Sequence, residues 1–428
     1  MRRFGDERKT KGRLNELTRR PSRSLWLLGL VSLFNDVASE MLYPVLPIFI
    51  TQVLGAPVAV LGLIEGVAEG SAAAFKTVFG RWSDRRGTRK PFVVSGYLVS
   101  TVSKVVIAIS QTWGMVFVGR VLDRLGKGAR TGPRDALLLG LSTDLDRGFV
   151  FGFQQALDSA GAVIGPLIAL ALLHNFASDI RTVLYVAIIP SVIGVVLVSF
   201  VRELRPSTET RLQPRRTAAA DNASGRPDDR TRSFATTLRA LPRELKVFLL
   251  ASGLFALGNS SDTFLILRSK SVGLDLSLVI LAYVLYNLVY SAASIPAGRL
   301  ADRWGPRRVY LAGIAIYIVV YAGFTLNHTA IGVWVLFAVY GLYIAMTDSV
   351  SRALVGSFIA DGKGSATLYG LQQTIISVGL VLASIVGGVL WSVVGPWATF
   401  AFAAACATLA LLVLLSTGAD QPRVPASL

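Results

Sequence analysis

Gly80-Arg81-Trp82-Ser83-Asp84-Arg85-Arg86-Gly87-Thr88-Arg89-Lys90 is answered later in the chain by Gly298-Arg299-Leu300-Ala301-Asp302-Arg303-Trp304-Gly305-Pro306-Arg307-Arg308, each phrase closing a long apolar segment. The offset from Gly80 to Gly298 also carries Gly152, Gln154 and Gln155 onto Gly370, Gln372 and Gln373, sets Phe151 against Tyr369 and lays Arg134 on Arg352. Landmarks in one register across half of a 428-residue chain mean two tandem copies of one folding unit.

The solvent for this chain is lipid. It is 53% hydrophobic and 16% charged, against roughly 25% charge in soluble domains, and its mean hydropathy is +0.56. Runs able to cross a hydrocarbon core of about 30 Å as helix recur over 25–49, 57–80, 91–110, 113–140, 149–173 and 182–201. They recur again over 245–267, 276–298, 309–326, 331–355, 367–391 and 396–416. The expected fold is all-α and polytopic, with twelve transmembrane helices in two six-helix bundles related by a pseudo-two-fold axis.

Basic residues set the orientation. Arg2, Arg3, Arg8, Lys9, Lys11, Arg13, Arg19, Arg20 and Arg23 crowd the N-terminal tail, and the 81–90 and 299–308 loops are Arg-rich. The loops at 50–56, 111–112 and 392–395 carry no charge. The positive-inside rule then predicts that both termini, both repeated loops and the linker are cytoplasmic. The formal charge of +17 is largely this anchoring, so no nucleic-acid partner is expected. The first apolar segment is too long for a cleavable signal. The predicted organisation is a basic tail over 1–24, bundles over 25–201 and 245–416, a linker over 202–244 and a tail over 417–428. That linker is too poor in large apolar residues to bury a core.

Cys406 is the sole cysteine, which rules out an internal disulfide and a cysteine metal cluster. His174 and His328 fall near predicted outer loops, so proton chemistry at mid-membrane is left to carboxylates. No metal or cofactor is expected. Intramembrane charges cost about 2.5–3.5 kcal/mol each on the insertion scale, and the fourth span concentrates them. Arg120, Asp123, Arg124, Lys127, Arg130 and Arg134 follow spacings of three and four, one helical face that cannot look at lipid. Counter-charges are available on Asp36 and Glu40 of the first span, Glu65 and Glu69 of the second, and Asp158 of the fifth. Asp36, Glu40, Arg124 and Lys127 are spaced to meet near the midplane, which makes Asp36, Glu40 and Glu69 the candidate proton-responsive groups, with Arg124 their electrostatic partner. Lys76 and Lys104 are expected near helix ends or snorkelling. Asn35, Tyr43, Asp123, Lys127, Asp158, Asn259, Asp262, Tyr286 and Asn287 are the candidate cavity wall. Fixed salt bridges and aromatic packing are the alternative for these same residues.

Over its whole length the chain resembles the major facilitator superfamily. Residues 80–90 look like that family's motif A between helices 2 and 3, and 298–308 like its echo between helices 8 and 9. Arg124-Leu-Gly-Lys-Gly128 resembles motif B. Gly161-Ala-Val-Ile-Gly165-Pro166-Leu-Ile-Ala169 is similar to motif C of proton-driven drug antiporters, with Ala169 where glycine is usual. The resemblance implies a secondary transporter of the bacterial cytoplasmic (inner) membrane, working as a monomer in the bilayer, with protons and a small molecule as partners. The motif C likeness implies efflux of a small amphipathic organic compound. The surplus of positive charge on the fourth span keeps open uptake or exchange of an anionic metabolite. Gly80, Asp84, Arg85, Gly87 and Arg89, with Arg134 as partner to Asp84, would form a cytoplasmic latch echoed by Asp302, Arg303 and Arg352. Gly161, Gly165 and Pro166 would form a smooth, bent packing stripe. An intramembrane enzyme would need a nucleophile with its base, or a metal cluster, and neither pattern is visible.

Overall fold

The computed structural model describes residues 23–86, 88–141, 147–176, 179–201, 243–357 and 365–416. They form twelve helical segments: α1 (Arg23–Leu42, continued by Leu46–Ile48 and a π-turn at Phe49–Val53), α2 (Val58–Arg86), α3 (Lys90–Ala108), α4 (Trp113–Leu141), α5 (Arg147–Asn175) and α6 (Ile180–Val186 with Ile188–Ser199). The second half follows as α7 (Arg243–Gly258 with Thr263–Ser271), α8 (Leu276–Trp304), α9 (Pro306–Leu326), α10 (Ala330–Ser357), α11 (Ser365–Val393) and α12 (Pro396–Ser416). Helix is what an apolar chain adopts in lipid, because every backbone N–H and C=O finds its partner within the segment. Eleven of the segments are long and apolar enough to cross a membrane. The one that fails on apolarity is α4, through the charges concentrated on it.

Besides the single-residue turn at Ala187 in α6, two helices expected to run unbroken do not. After Leu42 the chain turns through Tyr43, Pro44 and Val45 before resuming, since Pro44 and Pro47 lack the N–H that continues a helix. α7 stops at Gly258 and resumes at Thr263. Between them Asn259, Ser260, Ser261 and Asp262 have side chains that compete for backbone groups. There Ser261 N–H donates to the Ser384 hydroxyl at 3.3 Å, and the Ser261 hydroxyl donates to Thr263 Oγ1 at 3.0 Å. In the register that lays Gly80 on Gly298, residues 43–45 fall on 261–263. Both repeats break their first helix at the same place.

Packing repeats as well. The pairs α1 with α5, α1 with α6, α3 with α4 and α3 with α6 recur as α7 with α11, α7 with α12, α9 with α10 and α9 with α12. Helix ends are finished by side chains, as orphan terminal carbonyls require. Lys90 Nζ donates to the Ser199 carbonyl at 2.7 Å, and Arg307 Nη2 to that of Leu414 at 2.6 Å. At the opposite helix ends Arg181 Nη1 reaches the Ser110 carbonyl at 3.0 Å, while Arg268 reaches those of Phe324 and Asn327 at 3.1 and 3.0 Å. α6 starts on Asp179, whose carboxylate accepts from Arg181 N–H and from both the N–H and hydroxyl of Thr182.

Two compact units result, one of Met1–Tyr43 with Ala74–Arg226, the other of Pro44–Ala73 with Pro227–Leu428. The division thus does not follow the 202–244 linker alone. Pro44–Ala73 groups with the second half because α2 lays Gly62 against the Ser384 carbonyl, while a Cβ on Gly66 would sit 2.9 Å from the Val381 carbonyl. Within that unit the core is aromatic: Tyr317, Tyr321, Phe324, Phe337, Tyr340 and Phe400 are all fully buried.

Candidate functional site

In the first unit, α1, α3, α4 and α5 bring their charges together. The helices meet closely because the residues facing one another are small. A Cβ on Gly126 of α4 would stand 2.6 Å from the Gly96 carbonyl of α3, one on Gly161 of α5 2.9 Å from Asp36 Cβ, and one on Gly165 2.9 Å from Glu40 Cβ. The stripe on α5 therefore holds α1 at the turn that carries its two acids, and Pro166 lies inside α5.

Lys104 and Asp123 form an ion pair at 3.6 Å. Lys104 is only 2% exposed. This corrects the expectation that it snorkels: α3 faces α4 at that level, and only a carboxylate there makes a buried ammonium tolerable. Arg130, also buried, stacks its guanidinium 4.8 Å over the Tyr97 ring and donates to the Ser100 hydroxyl. Arg134 donates to Ser32 Oγ at 2.9 Å, pairs with Asp135 at 3.2 Å and lies 3.9 Å from Asp158. Gln154 donates to Asp158 at 2.9 Å and Asn35 to Asp36 at 3.3 Å. The charged groups acting on Asp36 are Asp158, Arg130, Arg134 and Lys127, whereas Arg124 acts on Asp123. Arg124 is buried and Lys127 exposed.

The second unit holds a cavity of about 240 Å³ between α7, α9, α10 and α11. Asn259 and Asp262 reach it from the break in α7, with Tyr310, Tyr340 and Tyr343 on the walls and Asp348, exposed, at its edge. Tyr340 donates to Asp262 Oδ1 at 2.5 Å and Tyr286 to Oδ2 at 3.4 Å. Asn287 is spent on its own helix, donating to the Tyr283 carbonyl at 3.1 Å. Glu65, buried, and Glu69, half-buried, belong to the α2 stretch that groups with this unit, while Tyr43 lies half-buried at the break in α1.

Of the expected latch residues, Gly87 and the side chains of Asp84 and Arg352 lie outside the described residues. Gly80 sits within α2, and a Cβ there would meet nothing within 4 Å. Arg85, Asp302 and Arg303 are exposed. Arg89 donates to the Ala136 carbonyl of α4 at 2.7 Å. The described partners of Arg134 are on α1, α4 and α5.

Sequence reasoning passed over Tyr340, Tyr343 and Ser252 of the second-unit cavity, and the close approach of Gly62 and Gly66. The spacing of four that repeats through Gly62, Gly66 and Gly70 was the available signal for the helix contact. For the tyrosines no signal separates a cavity wall from packing. Among the described residues no group of histidine, cysteine and carboxylate side chains could hold a metal ion.

Comparison with known proteins agrees with this architecture. The model of the Major Facilitator Superfamily matches residues 28–267 and 248–427. An uncharacterized MFS-type transporter of Methanocaldococcus jannaschii is 32% identical over 408 residues, 94% of this chain and 96% of its own length. The class H tetracycline resistance protein of Pasteurella multocida is 22% identical over 310 residues, covering 69% of this chain and 71% of that one. Among solved structures, the nucleoside transporter NupG superposes with a TM-score of 0.73 at 13% identity, covering 92% of this chain and 99% of that one. The human organic anion transporter MFSD10 superposes at 0.61 and 16% identity, covering 92% and 100%. Twelve helical segments among the described residues, in two sequence repeats matched over 28–427 by the family model and over 94% of the chain by a relative of nearly equal length, mean that the chain belongs to the Major Facilitator Superfamily of transporters.

Proposed function

We propose that the protein is a proton-coupled secondary transporter of the bacterial cytoplasmic membrane, exporting a small amphipathic organic compound by alternating access. The observation that carries this reading is the first-unit cluster. Asp36 lies on a helix seated against the glycine stripe of α5, and Arg134 ties the same two helices together, donating to Ser32 of α1 at 2.9 Å and lying 3.9 Å from Asp158 of α5. The protonation of such a carboxylate follows small changes in the distance to its neighbours, which is what exchange of cargo for protons requires. Glu40, one turn further along the same helix, is the second acid of the pathway, and Glu69 the third. Motif A, with Asp84 and Arg134, acts as the latch of the cytoplasmic side. Export is supported by the motif C likeness and by similarity to a tetracycline resistance protein.

Buried Arg120, Arg124 and Arg130 on α4 favour a second reading, uptake or exchange of an anionic metabolite by the same fold. Proteoliposomes enclosing a pH-sensitive dye separate the two. Panels of organic cations, neutral amphiphiles and organic anions are added under an imposed proton gradient. Under the first reading a cation or neutral amphiphile triggers proton movement, and Asp36→Asn or Glu40→Gln abolishes it. Anion uptake without proton movement would replace the first reading by the second.

A further inference from the structure

We propose that the surface groove between the first stretch of α7 and α11 is a binding site for an anionic phospholipid, with an acyl chain lying along the groove and the phosphate on Lys246. The groove encloses about 590 Å³ and shares no lining residue with the Asp262 cavity. That volume falls within the roughly 300–1,000 Å³ of sites that hold a ligand.

Its shape starts from two glycines. A Cβ on Gly379 of α11 would stand 2.5 Å from Ala256 Cβ of α7, and one on Gly253 of α7 would stand 3.1 Å from Ile375 Cγ2 of α11. The two backbones therefore approach closely, and the glycines leave the floor of the groove without side chains. Leu250, Leu254 and Leu257 form one bank, and Ile375, Val378 and Leu382 the other. Leu250, Val378 and Leu382 are 57%, 55% and 45% exposed, so this apolar surface is left to an outside partner. From Lys246 to Leu257 the helix rises about 16 Å, at about 1.5 Å per residue. That is about half of a hydrocarbon core of about 30 Å, the depth of one leaflet.

The two ends of the groove differ in chemistry. Lys246, exposed, lines the end nearest the helix start, and Arg243, also exposed, precedes it by one turn on the same face. The rest of the described wall is Leu, Ile, Val and Gly with the single hydroxyl of Thr374. A cation at the mouth of a leaflet-deep apolar channel matches the phosphate and acyl chain of a lipid, whereas a water-soluble anion gains nothing from the walls. Basic pockets between transmembrane helices on the cytoplasmic side bind anionic head groups, and α7 starts on the side predicted to be cytoplasmic. The first repeat has no counterpart. In the register that lays Gly80 on Gly298, Lys246 falls on Leu28 and Leu250 on Ser32, which are 0% and 1% exposed. There α5 closes on α1 with Leu157, which occupies the place a Cβ on Gly29 would need.

The test is native mass spectrometry of the purified full-length protein in detergent, stripped of lipid and titrated with dioleoyl phosphatidylglycerol or, as the zwitterion with the same chains, dioleoyl phosphatidylcholine. One phosphatidylglycerol should bind ahead of all others and at least about fivefold tighter than phosphatidylcholine, the value of one lysine beside an anionic head group. Lys246→Gln should remove that preference. Val378→Trp, which fills the groove from an exposed position, should weaken both lipids. Arg308→Gln, the same loss of charge at an exposed position of α9, should leave the preference intact, and glycerol phosphate, a head group without chains, should not bind. Equal affinity for the two lipids, wild-type preference in Lys246→Gln, an equal loss in Arg308→Gln, or binding of glycerol phosphate as tight as that of the lipid would overturn the site. Lipid mass is read without transport. The site therefore survives a failure of proton-driven exchange in proteoliposomes, and that exchange survives the loss of the site.

Discussion

The buried ion pair of Lys104 and Asp123 shows how a single residue is governed by its neighbour across two helices. Removing one partner strands a charge in the bundle, which typically costs about 3–5 kcal/mol, while replacing both by apolar groups can be nearly neutral. Lys104→Met should therefore lower stability strongly, and the double variant with Asp123→Leu should recover most of the loss. Unfolding of detergent-solubilised protein measures both, and a single-variant loss no larger than that of the double would mean the pair is hydrated. Outside the membrane-spanning helices, Asp179 makes a simpler case. The Thr182 hydroxyl and the amides of Arg181 and Thr182 hold its carboxyl below the usual carboxylate range. Asp179→Ala should lose about 1 kcal/mol, as caps do. Because the folded-state value is depressed, the cap contributes fully above about pH 4, the unfolded value, and fades as pH falls through the folded one. The difference between wild type and variant should be flat from pH 7 to about 4 and shrink below. A difference that grows on acidification would contradict the assignment.

Elements here are positioned by what is missing from their surfaces. A Cβ at position 165 would lie 2.7 Å from the Val37 carbonyl, and one at 161 would lie 3.0 Å from that of Leu33. Backbone on α1 cannot yield as a flexible side chain could. Gly165→Val should cost about 1–3 kcal/mol as overpacking and displace Glu40. Gly152→Ala, where a Cβ would meet nothing within 4 Å, should be neutral or stabilise by about 0.5–1 kcal/mol through helix propensity. Thermal unfolding of the two variants side by side decides it, and equal melting points would mean that α1 and α5 do not approach as described. The same reasoning explains the ends of helices. Basic residues of the repeated loops, Lys90 and Arg307, do more than anchor the protein by charge, since each closes the last turn of a distant helix in its own half.

The whole molecule is a duplication, visible in the sequence register, in the matched breaks of α1 and α7 and in the recurrence of helix pairs. The halves have nevertheless diverged in chemistry. The first carries paired charges, and the second a cavity that Asp262 shares with Tyr310, Tyr340 and Tyr343. Orientation in the membrane is testable on the complete chain. In a Cys406→Ala background, Thr112→Cys in the loop after α3 should react with an impermeant maleimide on intact cells. Ser207→Cys in the linker should react only after permeabilisation. The opposite pattern would invert the topology.

Sequence alone determined the class of solvent, the helix count and the twofold repeat, because length, hydropathy and register are properties of the chain itself and hold whatever touches what. It also singled out Asp36, Glu40, Asp158 and Asp262, since an acid in an apolar run stands out against its neighbours. Partnership was different. That Asp36 feels Arg130, Arg134 and Lys127, that Lys104 is buried against Asp123, and that Tyr340 and Tyr343 wall a cavity with Asp262 depend on the rotation and separation of packed helices. A few degrees or one missing methyl group changes these, and periodicity along one helix carries no record of the face its neighbour presents. Only the tertiary structure could decide them.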